Sequence, residues 1–272
     1  MTRSERLIGS RFVRVVEARS MPIAVNSHEL AEGQAIVDAL YGPSFDMFSS
    51  DEFAVAHAYE AGRVGGKVGG DVIDLYRYDN DSIGISLIDI CGHGTTAALH
   101  AGLVKYATRA YASHGQNPET VLRALNVLYR ETCRYEKVES FLSIFFAIVP
   151  RERNVLWYAS GGHDVAALIS TDGTVRPLGA TGPLVGVSDD NRQFTQAVIP
   201  LSPDDVFFGV TDGLSEARSP AGELFGSERV TDIAVRRRGD LDGLVTELLE
   251  AGRHYSGGNY RDDVAIVAAR LC

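Results

Sequence analysis

Ile83-Gly84-Ile85-Ser86-Leu87-Ile88-Asp89-Ile90-Cys91-Gly92-His93-Gly94-Thr95-Thr96-Ala97-Ala98-Leu99 sets an apolar, β-branched run against a glycine-rich turn and an alanine-rich stretch. One carboxylate stands near the join. The run reads as a strand over Ile83 to Ile90, and the stretch beyond as a helix over Thr95 to Ser113. Leu99, Leu103, Tyr106 and Ala110 fall on one side of that helix, the expected buried face. A charge at the end of a buried strand is costly unless it is paired or holds a cation. The adjoining glycines let the backbone turn sharply beside it.

Working outward, strands are expected at Glu52 to Tyr59 and Val72 to Tyr78, the latter joined to Ile83 by the turn Asp79-Asn80-Asp81. A second helix is expected over Pro118 to Tyr135. Asn117 would cap it, Pro118 would open it, and Leu122, Leu125, Leu128 and Tyr129 would form its apolar face. Strands follow at Phe141 to Val149, Val155 to Ser160, Val165 to Ser170, Val175 to Leu178, Gln193 to Ile199 and Asp205 to Thr211. Thr171-Asp172-Gly173-Thr174 is a hairpin turn. Helices at Leu224 to Arg236 and Leu241 to His254 precede a last strand, Val264 to Leu271. Nearer the start, a short strand is expected over Arg11 to Val16 and a helix over 28–41, capped by Ser27, with Leu30, Ile36, Val37 and Leu40 near one face and Pro43 beyond its end. Hairpin joins make the sheets mainly antiparallel. Two such sheets flanked by helices, in one α+β domain, satisfy the pattern.

Composition narrows the function. The 272 residues are 45% hydrophobic and carry a net charge of −10. That charge argues against nucleic-acid binding, which needs a basic face, and suits an enzyme that gathers cations. Cys91, Cys133 and Cys272 form no close pair, so neither a disulfide framework nor a zinc site follows. No signal peptide or membrane span is read, and the expected location is the cytoplasm with no membrane association.

Asp71 follows Gly69-Gly70, Asp89 closes its strand, Asp212 follows Val206 to Thr211 and precedes Gly213, and Asp262-Asp263 lead into the last strand. A lone Asp-Gly at a strand end is usually a turn, as Asp172-Gly173 is here. Four acidic sites next to apolar strands point instead to hard oxygen ligands for magnesium or manganese. Such a cluster holds two ions about 3.5–4 Å apart in two-metal hydrolases.

The segments Val68-Gly69-Gly70-Asp71, Asp89-Ile90-Cys91-Gly92-His93-Gly94, Ala159-Ser160-Gly161-Gly162-His163, Thr211-Asp212-Gly213-Leu214-Ser215-Glu216-Ala217 and Arg261-Asp262-Asp263-Val264 occur in that order. As a set, over about residues 30–271, they resemble the protein phosphatase 2C-like (PPM) superfamily, in its bacterial branch of sporulation and sigma-factor-regulator phosphatases. The resemblance implies a four-layer α-β-β-α sandwich over 28–272, preceded by an extension over 1–27. It also implies a centre of two Mn²⁺ or Mg²⁺ held by Asp71, Asp89, the Ile90 carbonyl, Asp212 and Asp262, with Asp89 bridging and Asp263 a structural neighbour. The expected reaction is hydrolysis of phosphoserine or phosphothreonine by a metal-bridging hydroxide, with Asp89 and Asp212 essential. His93 is a candidate general acid, equally read as a histidine bonded within its loop; His163 is read as structural. The implied substrate is a phosphorylated anti-sigma-factor antagonist, with regulation by a homodimer or a separate protein. Cys91, Ala265 and the extra Gly65-Gly66-Lys67 depart from the family pattern without removing a ligand.

Rival readings fare worse. Gly92-His93-Gly94-Thr95-Thr96-Ala97 fits a dinucleotide-binding turn, but no acidic residue follows between Cys91 and Pro118 to hold a ribose. A cysteine phosphatase needs an arginine six residues after its nucleophile; Ala97 and Glu139 stand there instead. A phosphatase fold kept only as a binding or regulatory module would be missing carboxylates, and the expected ones are present.

Overall fold

The structure, a computed structural model, describes residues 53–62, 69–78, 80–152 and 154–271. The strand expected at Arg11 to Val16, the helix at 28–41 and Lys67 lie outside the described residues.

The order is β1 (Phe53–Glu60), β2 (Val72–Arg77), β3 (Ile83–Ile90), α1 (Gly94–Ser113), α2 (Pro118–Glu136), β4 (Leu142–Val149), β5 (Val155–Gly161), β6 (Ala166–Ile169), β7 (Val175–Pro177), β8 (Ala197–Pro200), β9 (Asp205–Val210), α3 (Asp212–Ser215), α4 (Ser227–Arg237), α5 (Leu241–Tyr255) and β10 (Val264–Leu271). One five-stranded sheet runs β1-β10-β9-β6-β7 and the other β2-β3-β4-β5-β8. Every ladder between named strands is antiparallel. With helices on both outer faces, this is the expected α-β-β-α sandwich.

The period-two alternation of strand side chains divides the core. In β10, Ala265, Val267 and Ala269 face the layer between the sheets with Leu75, Leu87, Phe145 and Phe207. Val264, Ile266 and Ala268 face α4 and α5, against Leu244, Val245 and Leu248. Ile88 and Ile90 turn the other way, onto α1 and α2. Strands buried on both faces read as unbroken apolar runs, which is why β3, β4, β9 and β10 stand out in the sequence.

Several local readings hold. The Asn117 side chain accepts the Thr120 N–H at 2.9 Å, capping α2 as expected. Tyr78 N–H donates to the Ser82 carbonyl (2.9 Å) across the β2–β3 turn, and Ser170 N–H to Thr174 (2.9 Å) across the β6–β7 turn.

Three readings are corrected. The face expected to be buried in α1 is the exposed one: Leu99 is 66% and Tyr106 51% accessible, and Leu103 and Ala110 are exposed as well. The buried face carries Ala97, Ala101, Val104 and Thr108, small enough for the helix to lie close on its sheet. It also carries Lys105, pulled inward by Asp74 of β2. The strand expected from Gln193 starts only at Ala197. A 3₁₀ turn over Asn191–Gln193, capped by Asp190 accepting from the Arg192 N–H, precedes it. The helix expected from Leu224 starts at Ser227, because residues 218–224 close a short hairpin first.

Candidate metal centre

The ladders decide where the aspartates go. In one sheet Val72 pairs with Ile88, so Asp71 and Asp89, each one step further on, lie together at one end. In the other sheet β1 ends at Glu60 opposite Val264, and Val210 pairs with Ile266. The residues after β9 and before β10, Asp212 and Asp262, therefore meet at one end as well.

Glycines make the close approaches possible. A Cβ on Gly213 would lie 1.8 Å from the Asp263 carbonyl oxygen, so only glycine lets α3 start against the turn that carries Asp262. A Cβ on Gly70 would come within 2.7 Å of the Ile90 carbonyl oxygen, the main-chain ligand expected from the sequence. Asp263 is 4% exposed and ties the two chain segments together. Its carboxylate accepts the Gly62 N–H at 2.8 Å and the Gly70 N–H at 2.9 Å. It is the structural neighbour expected.

Asp89, Asp212 and Asp262 line one open cavity of about 390 Å³ with Ile90, Ser143, His163, Asp164 and Glu216 among its walls. Asp71 is not among the lining residues; it is 3% exposed, and its Oδ2 has no hydrogen-bond partner. As placed, no three Asp, Glu, His or Cys side chains among the described residues are gathered round one point. The carboxylates nevertheless act on one another. Burial, then repulsion from Asp212 and Asp262, pushes Asp89 up to about 7. Burial, then Asp262 and Glu216, pushes Asp212 up to about 6. Asp71 is raised well above the carboxylate range, by burial first and Asp89 second. The Thr211 hydroxyl eases that cost. Its oxygen already accepts the Ala265 N–H at 2.8 Å, and its 3.5 Å approach to the Ala265 carbonyl is too long to compete for the hydroxyl hydrogen.

Mutually raised carboxylates, an orphaned buried oxygen and a main-chain carbonyl against a glycine form a hard, oxygen-only donor set that fits divalent magnesium or manganese. Asp164 and Glu216 are further acidic groups at this cavity that the sequence reading did not select. Glu216 was already inside the quoted Thr211 to Ala217 segment, and Asp164 directly follows Gly162-His163.

His93 is exposed at the N-cap of α1, makes no side-chain capping bond, and is not among the cavity-lining residues. Burial holds the nearby Asp263 carboxyl above its ordinary value, against the lowering by its bonds from the Gly62 and Gly70 N–H groups. His163 is buried. Its Nδ1 lies 3.3 Å from Ser143 Oγ, and its Nε2 has no hydrogen-bond partner. Desolvation lowers it to about 4, so it is neutral.

The two antiparallel sheets with helices on their outer faces are the PP2C type of fold. The model of the Stage II sporulation protein E (SpoIIE) family matches residues 79–271, and the chain belongs to that family. It is 31% identical over 179 residues to phosphoserine phosphatase RsbU of Bacillus subtilis, covering 64% of this chain and 48% of that one. It is 25% identical over 284 residues to protein IcfG of Synechocystis, covering 94% of this chain and 43% of that one. The chain thus spans less than half the length of these relatives. Among solved structures, the SiaA-PP2C domain of Pseudomonas aeruginosa superposes with a TM-score of 0.70 at 21% identity, over 90% of this chain and 99% of that one. The PP2C domain structure of SpoIIE from Bacillus subtilis gives 0.66 at 17% identity, over 82% and 64%. These two likenesses speak for the fold.

Proposed function

We propose that this chain is a manganese- or magnesium-dependent phosphatase acting on phosphoserine or phosphothreonine in another protein. The observation that carries the reading is the gathering of Asp71, Asp89, Asp212 and Asp262 at one end of both sheets, with raised carboxyl groups and an unpartnered oxygen on Asp71. Asp89, Asp212 and Asp262 would hold the cations from the cavity side, with Asp71 and, from the β3 end, the Ile90 carbonyl as further donors. Bound there, a cation pair supplies Lewis acidity and an activated water. The chain's own part is to fix the oxygen donors on strand ends and to keep the cavity open to a phosphorylated side chain. His93 is kept as the candidate proton donor on its place in the loop after Asp89. Its test is the turnover of His93→Gln on a phosphoserine peptide with manganese: a kcat equal to the parent's refutes the role.

The substrate class follows from the relative named a phosphoserine phosphatase. A phosphorylated anti-sigma-factor antagonist, a cytoplasmic setting, a phosphatase domain over 28–272, and control through a homodimer or separate regulator all belong to this proposal. Among the described residues no helix is long and apolar enough to cross a membrane.

The test measures manganese binding by calorimetry and manganese-dependent hydrolysis of a phosphoserine peptide, in the unaltered protein, Asp89→Asn and Asp212→Asn. Both variants should lose hydrolysis and bind manganese more weakly while keeping the circular dichroism of the parent. Full activity in either variant refutes the ligand assignment. Manganese binding without hydrolysis in the parent leaves a phosphatase-fold binding module.

A further inference from the structure

Next to the metal-candidate cavity lies a second hollow of about 290 Å³ that the reaction above does not use. Asp212, Glu216 and Asp262 form a wall common to both. Arg218, Ser219, Asn259 and Arg261 also line the second hollow, so an otherwise acidic neighbourhood carries two guanidinium groups.

Several arginines of the fold are held in ion pairs, while Arg229 and Arg238 bond only main-chain carbonyls. Arg109 is paired with Asp74, Arg253 with Glu60, and Arg236 and Arg237 with Glu247. Arg261 is exposed and has no ion-pair partner among the described residues. Arg218, also exposed, donates one N–H to the Gly222 carbonyl at 3.2 Å and likewise has no carboxylate partner among the described residues.

Both stand on fixed backbone. Arg218 and Leu224 bridge the base of a hairpin, within which Ser219 N–H donates to Glu223 (2.9 Å) and Gly222 N–H to Ser219 (2.8 Å). The hairpin is anchored by Phe225, 3% exposed, edge-on to the Tyr255 ring. The Tyr255 hydroxyl donates to the Leu224 carbonyl at 3.0 Å. Arg261 follows Tyr260, which is 2% exposed and whose hydroxyl donates to the Leu249 carbonyl at 2.7 Å. Two cations without carboxylate partners, held by rigid supports beside a shared wall, form a recognition element.

We propose that this hollow is a specificity subsite in which Arg218 and Arg261 receive a carboxylate side chain of the substrate, close in sequence to the phosphorylated residue. The inference rests on the phosphatase reading above. An extended peptide advances about 3.3 Å per residue, so a phosphate over Asp89 and Asp262 brings neighbouring side chains past the common wall. A guanidinium fork matches a carboxylate in two parallel hydrogen bonds. A singly charged carboxylate suits this place better than a second phosphate, because Asp212, Glu216 and Asp262 repel a dianion more strongly.

The experiment compares two phosphoserine peptides that differ only in having Glu or Ala at the flanking positions, with p-nitrophenyl phosphate as a substrate without flanks. The enzymes are the unaltered chain, Arg218→Ala/Arg261→Ala and Arg261→Lys, all with manganese. The unaltered chain should prefer the Glu peptide by about fivefold in kcat/KM, as two exposed ion pairs allow. The difference should lie in KM, vanish in the double variant and survive in part in Arg261→Lys. No preference in the unaltered chain, or an undiminished one in the double variant, overturns the subsite. An equal loss on both peptides and on p-nitrophenyl phosphate would assign the arginines to the scissile phosphate and overturn it too. Anisotropy of the labelled, unphosphorylated Glu and Ala peptides, with manganese present, reads the same preference without turnover. If nothing is hydrolysed, the phosphatase reading fails by itself, and the subsite stands or falls on whether the Glu peptide binds more tightly and loses that advantage in the double variant.

Discussion

His163 makes a pH-dependent prediction that needs no metal. It is 3% exposed, packs near the Phe145 ring and has Ser143 Oγ 3.3 Å from its Nδ1. Burial lowers it from 6.5 to about 4. As pH falls through 6.5 the unfolded chain takes up a proton there and the folded chain does not, so stability drains away between pH 6.5 and about 4. At pH 5 the loss is about 2 kcal/mol, at 1.36 kcal/mol per unit over about 1.5 units. Nearby carboxylates act in the opposite sense. Asp71, Asp89 and Asp212 are raised, so the stability they add is present at low pH and lost as pH rises through their folded values. The bare pH profile therefore mixes both signs.

A comparison with His163→Gln separates them, because Gln keeps a polar group toward Ser143 and does not titrate. With chelator present, urea midpoints are measured for both proteins at pH 7.5 and 5.0. The variant starts below the parent. Going to pH 5.0, the gap should narrow by about 2 kcal/mol, or about 1 M urea at a slope of about 2 kcal/mol/M. His57, also lowered to about 4 by burial, is present in both proteins and cancels. A gap that stays constant or widens refutes the neutral, buried assignment of His163.

Removing Asp74 should cost about 3–5 kcal/mol in chemical denaturation, because it takes a buried carboxylate from Lys105, 1% exposed, and from the Arg109 guanidinium that donates to Asp74 Oδ2 at 2.6 Å. The double variant Asp74→Leu/Lys105→Met should recover a large part of that loss. Gly213→Ala forces a Cβ to within 1.8 Å of the Asp263 carbonyl; a lowered melting temperature and weaker manganese binding by calorimetry are both expected. Asp263→Ala leaves the Gly62 and Gly70 N–H groups without their acceptor and should weaken manganese binding at least tenfold while leaving the sheet signal in circular dichroism unchanged.

The sandwich was legible because most of its strands are buried on both sides or joined by short turns, and both facts are local. The α1 face was misread for a reason that hydrophobicity alone cannot detect. Ala97, Ala101 and Thr108 bury well because they are small, and Lys105 is buried because Asp74, 31 positions earlier, supplies a partner. Leu99 and Tyr106, the more apolar residues, are left outside. The start of α4 was misplaced by the hairpin at 218–224, whose closure depends on Phe225 finding Tyr255.

The aspartates were legible through their neighbours, since a glycine beside a strand-end carboxylate marks a place where another chain segment must come close. What comes close was hidden. Asp263 reads as the twin of Asp262, yet the two have different work. Asp262 points to the cavity, while Asp263 bonds Gly62 and Gly70 at sequence separations of 201 and 193. The register explains the division. With Glu60 opposite Val264, the chain leaving β1 passes directly over the turn before β10, and a carboxylate there meets two free N–H groups before it meets solvent. The carboxylate one residue back, outside the strand, lines the cavity instead, with its Oδ1 accepting the Asp263 N–H at 2.9 Å. A pair of adjacent aspartates is thus needed for two tasks, one to clamp the segment that carries Asp71 and one to face the cavity with Asp89 and Asp212, and neither can stand in for the other.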